Sequence, residues 1–326
     1  MFEITSKMIK TWSTVGQRAT LGLVLFELAK SNKELFVVTA DVSTSAGLDR
    51  FRKTYPDQFV DVGIAEQNMI GVAAGIAMNG FDVITTTFAP FQSLRCCEQI
   101  KVDLAYTKTK TLMIGLASGL INGPLGNTHC CIEDIGALRS IPDLKLMSPA
   151  DGFGVAKAIF GCLEQKSPAY IRLTGGTNNP VIYNEDRTFN IGQAIELKPG
   201  EDLTIFATGS MVFQSLKAAD ELAKHGVSAA VWDMHTIKPL DKDALKKAAS
   251  KTSLIVSIEE HNILGGLGSA ISECLCSYEK PPQLLTMGVQ DCFLKPGSYE
   301  YMLQQSGLTP DSITTKILGT LNPNYS

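Results

Sequence analysis

Short apolar runs recur along this chain, each closing on a polar, acidic or glycine residue and leading into a helical pattern. That alternation restricts the chain to one broad class of fold. Leu35-Phe36-Val37-Val38-Thr39-Ala40 runs into Asp41, and Phe59-Val60-Asp61-Val62 runs into Gly63 and then Glu66. Apolar strands separated by helix-length segments are the signature of βαβ units, whose strands are buried on both faces of a parallel sheet. Before the first strand a helix is expected over residues 20–30. Further strands are expected at Phe81-Asp82-Val83-Ile84-Thr85-Thr86, Thr111-Leu112-Met113-Ile114-Gly115-Leu116, Leu144-Lys145-Leu146-Met147 and Ala169-Tyr170-Ile171-Arg172-Leu173, with a helix across residues 92–105.

At Thr174 the alternation stops. The polar stretch to Asn190, with Gly175-Gly176 and Asn178-Asn179-Pro180, reads as a linker. The pattern then restarts with strands at Leu203–Ala207, Ala229–Asp233 and Leu254–Ile258 and a helix near residues 211–225. A chain of 326 residues is long enough for two cores. The expected fold class is therefore α/β, two parallel-sheet, three-layer domains covering residues 1–178 and 179–326.

Composition narrows the function. A formal charge of −4 gives no electrostatic footprint for nucleic acid or an anionic membrane. Met1-Phe2-Glu3-Ile4-Thr5 carries no basic region followed by an apolar core, and no apolar run approaches bilayer length. The expectation is a cytoplasmic protein with neither a nucleic-acid nor a membrane partner. Eight cysteines form no Cys-x-x-Cys pair and stand beside no His cluster, so reduced thiols filling core space are expected and metal ligands are not.

Ligands of open parallel sheets bind outside the carboxyl ends of the strands. Asp41, Glu66, Phe88, Phe91 and the Gly- and Asn-rich loop up to His129 all fall at such ends, which makes one rim the candidate site. Residue chemistry alone leaves alternatives open. Glu66 starts a helix that continues through the small residues Gly71-Val72-Ala73-Ala74-Gly75-Ile76-Ala77, and a carboxylate there is favourable as a helix-terminal charge. Asp41 can cap a helix or order a turn, and a Phe is most often plain core. Asp61, His225, His235 and His261 read as structural.

Taken together, collinear words along nearly the whole chain resemble the C-terminal half of transketolase, and specifically the split transketolases in which that half is a separate polypeptide. They are Val38-Thr39-Ala40-Asp41-Val42-Ser43, Val62-Gly63-Ile64-Ala65-Glu66-Gln67-Asn68-Met69, Thr86-Thr87-Phe88-Ala89-Pro90-Phe91, Gly126-Asn127-Thr128-His129, Ile132-Glu133-Asp134 through Leu138-Arg139, Met147-Ser148-Pro149-Ala150-Asp151 and Thr236-Ile237-Lys238-Pro239-Leu240-Asp241. The resemblance implies a thiamine-diphosphate pyrimidine-binding domain followed by a transketolase C-terminal domain. It implies that Asp41, Ile64, Glu66, Phe88 and Phe91 surround the cofactor. Glu66 and His129 would be catalytic, Glu66 by hydrogen-bonding the aminopyrimidine ring and His129 by facing the substrate hydroxyls. Arg18, Ser45, position 125 and His129 would face the substrate.

The family grips the diphosphate and its Mg2+ with a Gly-Asp-Gly followed further on by an Asn, and no Gly-Asp-Gly occurs in this sequence. The resemblance thus implies a second polypeptide, an N-terminal subunit that carries this motif and the Mg2+ ligands, in a heterotetramer of two copies of each chain. The substrate face departs from the family. Leu125 stands where an acidic residue binds a substrate hydroxyl, Ala117 where a His contacts phosphate, and Gly175 where an Arg is expected, with Arg172 nearby as a replacement. The activity implied is transfer of a two-carbon ketol unit from a ketose or ketose phosphate to an aldehyde, with altered substrates. The competing readings are a decarboxylating synthase resembling deoxyxylulose-phosphate synthase, which shares Ile64-Ala65-Glu66-Gln67, a 2-oxoacid dehydrogenase beta subunit, and a non-catalytic structural subunit.

Overall fold

The computed structural model describes residues 4–175 and 180–322, and within them twelve strands form two sheets. The strands are β1 (Leu35–Thr39), β2 (Phe59–Asp61), β3 (Asp82–Phe88), β4 (Thr111–Leu116), β5 (Lys145–Met147), β6 (Ala169–Arg172), β7 (Ile195–Lys198), β8 (Leu203–Ala207), β9 (Ala229–Asp233), β10 (Thr236–Lys238), β11 (Leu254–Asn262) and β12 (Gln283–Val289). The first sheet has the order β10-β5-β6-β4-β3-β1-β2, and the second β12-β11-β8-β9-β7.

Both sheets are covered on both faces. Along β4, Leu112 and Ile114 enter one core cluster and Met113 the other, as the twofold period of a strand requires. Helices Gln17–Ser31 and Gly152–Gln165 supply the first cluster, and helix Glu66–Met78 with the π-helical turn Ile100–Tyr106 supplies the second. In the second sheet, Ile205 and Val256 pack toward helices Met211–Lys224 and Pro310–Leu321, while Phe206 and Ile255 pack toward Lys242–Lys251 and Leu267–Leu275. The α/β class and its three-layer arrangement follow directly from this double burial.

Three features differ from the sequence expectation. First, β10, which follows the linker, returns to the first sheet and pairs antiparallel with β5, Thr236 opposite Met147. Lys238 locks it there through hydrogen bonds to the carbonyls of Arg139, at 2.9 Å, and Ile141. A three-residue strand followed at once by Pro239 gives almost no periodic signal. Second, β7 is an antiparallel edge strand on β9, so both sheets are mixed. Third, the helix expected over 92–105 is broken. Ser93 Oγ donates to Ala89 O at 2.6 Å, and the Arg95 N–H reaches back five residues to Pro90 O at 3.2 Å, a wide turn that interrupts the α-ladder.

Residues 180–190 of the linker form neither helix nor strand, and the rest of the Gly- and Asn-rich part, residues 176–179, lies outside the described residues. The linker is nonetheless strapped to both sheets. The N–H groups of Ile182 and Tyr183 donate to Asp151 Oδ2 at 3.0 and 2.9 Å, and Asp151 Oδ1 caps helix Gly152–Gln165 at the Gly154 N–H. The Tyr183 hydroxyl donates to Asp233 Oδ2, at the end of β9, at 2.6 Å. Asp233 is fully buried and its Oδ1 has no partner. Burial pushes its carboxyl up to about 8, against the Tyr183 hydrogen bond and with the help of the Asp151 charge.

A measurable pH effect follows. A folded-state value above the unfolded one means that the native chain holds a proton that the unfolded chain has already lost. This stabilising contribution is complete below about pH 4, is lost as pH rises, and is gone above about 8, on the order of a few kcal/mol in all. Asp233→Asn should flatten that slope, which urea midpoints at pH 5, 7 and 9 would read. An equal slope in the variant would remove Asp233 as its source.

All eight cysteines are free thiols. Cys96, Cys130, Cys131 and Cys162 fill core space as expected, whereas Cys276 and Cys292 are exposed.

Candidate active site

In the first sheet the chain runs from β1 to edge strand β2, then returns past β1 to β3. The order of the strands therefore reverses at β1, and a crevice is expected outside the carboxyl ends of β1 and β3. Asp61, ending β2, organises this corner. Its Oδ1 accepts from the Asp41 N–H at 2.9 Å and the Gly63 N–H at 3.0 Å, tying the exits of β1 and β2 together. Asp41 itself is exposed and adopts φ 57°, a turn conformation that Asp tolerates better than most residues. Ile64, two residues before the next helix, is 78% exposed.

Glu66 opens helix Glu66–Met78, and only 5% of it is exposed. Its carboxylate accepts from Arg95 Nη1 at 2.7 Å. A carboxylate this buried requires a charged or hydrogen-bonding partner. β3 ends at Phe88, which leads into the short helix Ala89–Gln92 with Pro90 in its first turn. Residues three apart share one face of such a turn, so Phe88 and Phe91 stand together, ring centroids 6.5 Å apart at 89°. The His129 ring meets both edge-on, at 6.2 Å from Phe88 and 5.4 Å from Phe91. Arg95 lies over the Phe91 ring at 4.2 Å. Glu66, Phe88, Phe91 and His129 are thereby joined into one cluster, with Arg95 as the link between carboxylate and aromatics.

His129 is delivered by the loop between β4 and helix Asp134–Arg139. The loop is pinched at its base, where Gly119 and Cys131 exchange both backbone hydrogen bonds at 2.7 and 2.9 Å. Near its tip Gly126 adopts φ 73° and lies so close to Pro296 that an added Cβ would stand 3.1 Å from the ring, so only glycine fits without strain. Asn127 Nδ2 donates to Leu294 O at 3.1 Å, docking the tip on the second unit, and Thr128 Oγ1 lies 3.0 Å from His129 Nδ1. Leu125, on the same tip, is 59% exposed.

Arg18 lies in the helix before β1 and Ser45 in the loop after it. An added Cβ at Gly22 would lie 2.1 Å from Gly47 O, and this close backbone approach sets helix Gln17–Ser31 against the Ser45 loop. Arg18 is half-buried and Ser45 exposed. Of the altered positions, Ala117 is buried at φ 51° and Gly175 has φ 75°. Arg172 does not compensate for the missing arginine. It is 1% exposed, donates from Nε to Asp134 Oδ2 at 3.0 Å, and from Nη2 to the carbonyls of Cys131 and Glu260 at 3.3 and 3.2 Å. Asp134 also accepts from the Tyr170 hydroxyl at 2.8 Å. Burial works to raise the Asp134 carboxyl. Arg172 and His261, with the hydrogen bonds from Arg172 and Tyr170, outweigh it and hold the carboxyl below the ordinary range.

Sequence reasoning misses Arg95, because a continuous helix over 92–105 makes it one more solvated cation. Its signal is the spacing: four residues after Phe91, in a segment whose Pro90 and Ser93 argue against regular helix.

A buried carboxylate acceptor beside two aromatic faces and an imidazole fits a flat heterocycle with an N–H donor on its edge, as an aminopyrimidine has. Among the described residues no group of three or more His, Cys, Asp or Glu could hold a metal ion. No described helix is long and apolar enough to cross a membrane.

Comparison with known proteins agrees with the geometry. Residues 13–178 match the family described as transketolase, pyrimidine binding domain, and residues 192–313 match transketolase, C-terminal domain. A 6-deoxy-6-sulfo-D-fructose transketolase subunit of Clostridium sp. is 37% identical, over 89% of this chain and 89% of its own. An apulose-4-phosphate transketolase subunit of Phocaeicola vulgatus is 36% identical, over 89% of this chain and 92% of its own. A solved split-gene transketolase, described as an inactive beta4 tetramer, superposes with a TM-score of 0.84 at 33% identity, covering 94% of this chain and 98% of that one. Family match, near-complete mutual coverage and shared architecture lead to one conclusion: this chain belongs to the transketolase family, and relatives that it matches over most of their length are named as transketolase subunits or as a transketolase C-terminal section.

Proposed function

We propose that this chain is the C-terminal subunit of a split transketolase-like enzyme that moves a two-carbon ketol unit from a ketose to an aldehyde acceptor. The observation that carries this reading is the cluster of buried Glu66 with half-buried Phe88, Phe91 and His129 at the strand-order reversal. Residues 1–178 form the pyrimidine-binding domain in this reading and residues 179–326 the C-terminal domain, although β10 of the latter completes the former's sheet. An N-terminal subunit with the Gly-Asp-Gly motif would hold the diphosphate and Mg2+, in an assembly of two copies of each chain in the cytoplasm.

Thiamine diphosphate, when bound, supplies the carbon nucleophile that breaks the bond beside a ketone. Everything else is the work of side chains. Glu66 accepts a hydrogen bond from the pyrimidine edge and sets its protonation, a role for which a buried carboxylate in a water-poor corner is suited. Phe88 and Phe91 orient the ring through contacts worth about 0.5–1.5 kcal/mol beyond their buried area. Asp41 and Ile64 border that ring. His129 stands on the aromatic pair, where its imidazole can donate to an alkoxide oxygen and exchange its proton. Arg18 and Ser45 receive the far end of the substrate.

Leu125 distinguishes this site. An apolar side chain at the tip leaves a substrate hydroxyl there without a partner, and each buried unpaired hydroxyl costs about 1–3 kcal/mol. The substrates are thus less hydroxylated or otherwise modified sugars, in keeping with relatives named for sulfofructose and apulose phosphate. With the diphosphate-binding subunit, thiamine diphosphate and Mg2+, turnover of xylulose 5-phosphate with ribose 5-phosphate should be slow, at roughly a hundredth or less of the kcat/KM with the preferred pair. Efficient turnover of that pair defeats the altered-substrate reading, and release of carbon dioxide from pyruvate would assign the chain to the decarboxylating synthases or dehydrogenases instead.

A further inference from the structure

The Arg95 guanidinium is a flat group whose central carbon lies over the Phe91 ring, 4.2 Å from its centroid, and which donates an N–H to Glu66 Oε1 at 2.7 Å. An aminopyrimidine seated at this cluster needs the same two contacts, a face against Phe91 and an edge donor to Glu66. A ring that takes this face of Phe91 and this position on the carboxylate cannot enter while the guanidinium is there. From this overlap we propose that Arg95 gates the site, occupying the heterocycle's seat and yielding it when the ring enters. The inference rests on the reading of Glu66 and Phe91 as a pyrimidine seat.

The surroundings allow the side chain to move without its backbone. The Arg95 N–H is held by Pro90 O at 3.2 Å, and its carbonyl accepts from Gln67 Nε2 at 3.2 Å. The neighbouring Cys96 thiol is tied to Phe91 O at 3.1 Å. The Arg95 side chain itself is 44% exposed, against 5% for Glu66. Swinging outward therefore returns the guanidinium to water, and the cost of the move is the partner lost by Glu66, which the entering ring replaces. An arginine is well chosen for the task, since its plane can stack and its fork can donate at the same time, and a lysine could do only the second. In the chain alone the gate keeps a nearly buried carboxylate neutralised. The entering ring takes over the hydrogen bond.

Competition of this kind lowers the affinity of the seat, so removing the guanidinium should raise it. The full chain, the Arg95→Ala and Arg95→Gln variants, and a Phe91→Ala control would be titrated calorimetrically with 4-amino-5-hydroxymethyl-2-methylpyrimidine and with thiamine diphosphate and Mg2+, with thermal melts as a check on folding. Both Arg95 variants should bind the pyrimidine more tightly than the native chain, by roughly threefold to thirtyfold for a half-exposed charged hydrogen bond with a stacked cation. Unchanged or weaker binding in the folded variants overturns the gate while leaving the seat intact. Binding that Phe91→Ala does not weaken, or no binding by any of the proteins, overturns the seat and the gate together.

Discussion

Glu66→Gln, in the complex with the diphosphate-binding subunit, is expected to lower kcat by roughly 10²–10⁴-fold, the span usually lost with a positioned proton-transfer group. The substitution is nearly isosteric, and the Gln carbonyl oxygen can still accept from Arg95 Nη1, which lies 2.7 Å from the native carboxylate. Stability should therefore change little. What disappears is the anionic acceptor in a position only 5% exposed, where water is poorly placed to replace it. The result separates the catalytic reading from a structural or regulatory one, because a scaffold would keep its partner's full rate. Steady-state kinetics with saturating cofactor, alongside far-UV circular dichroism, decide it. Retention of more than about a tenth of the native kcat in a folded variant would take Glu66 out of the proton path.

How much of this molecule is legible in the sequence depends on the strength of each local signal. The strands Leu35–Thr39, Thr111–Leu116, Leu203–Ala207 and Ala229–Asp233 stand where the apolar runs put them, because a strand buried on both faces has little freedom in composition. β10 is invisible, since three residues before a proline carry no period and their pairing with β5 is set by tertiary contact. The break at Ser93 escapes notice for a related reason. Its cause is a side-chain hydrogen bond to Ala89 O, which periodicity does not register. That break is what turns Arg95 back onto Phe91, so an error of secondary structure becomes an error about the site. Arg172 shows the opposite fault. Proximity in sequence to Gly175 suggests a substrate cation, whereas its position inside β6 points it into the core toward Asp134. Sequence words locate Glu66, Phe88, Phe91 and His129 on one rim. Only the packing shows that a second charge joins them.

Arg172→Met should cost about 3–5 kcal/mol, the usual loss when one member of a buried ion pair is removed. The pair is 1% and 0% exposed. Without the guanidinium, Asp134 would keep the Tyr170 hydroxyl as its remaining hydrogen-bond donor, and the carbonyls of Cys131 and Glu260 would lose theirs from Nη2. Those carbonyls belong to the floor of the His129 loop. Cys131 closes the loop against Gly119, and Glu260 accepts the Leu120 N–H through Oε1 at 2.6 Å. The loss should also depend on pH in a defined direction. In the native chain the Asp134 carboxyl is held below the ordinary carboxylate range, so its stabilisation is present above the unfolded value near 4 and lost as pH falls through the folded value. Once Arg172 is gone, burial dominates and the folded value rises above the unfolded one. The variant's deficit should then shrink as pH falls toward 4 and widen toward neutrality, which urea midpoints at pH 4.5 and 7.5 would show. Replacing both partners, as Arg172→Met with Asp134→Leu, should recover part of the stability, because position 134 no longer carries an unpaired buried charge, although the Tyr170 hydroxyl loses its acceptor and Glu260 its cation. It should not recover turnover, since the bracing of the two carbonyls is still missing and His129 depends on that loop for its place on Phe88 and Phe91. Full recovery of both would show that the pair serves the core alone.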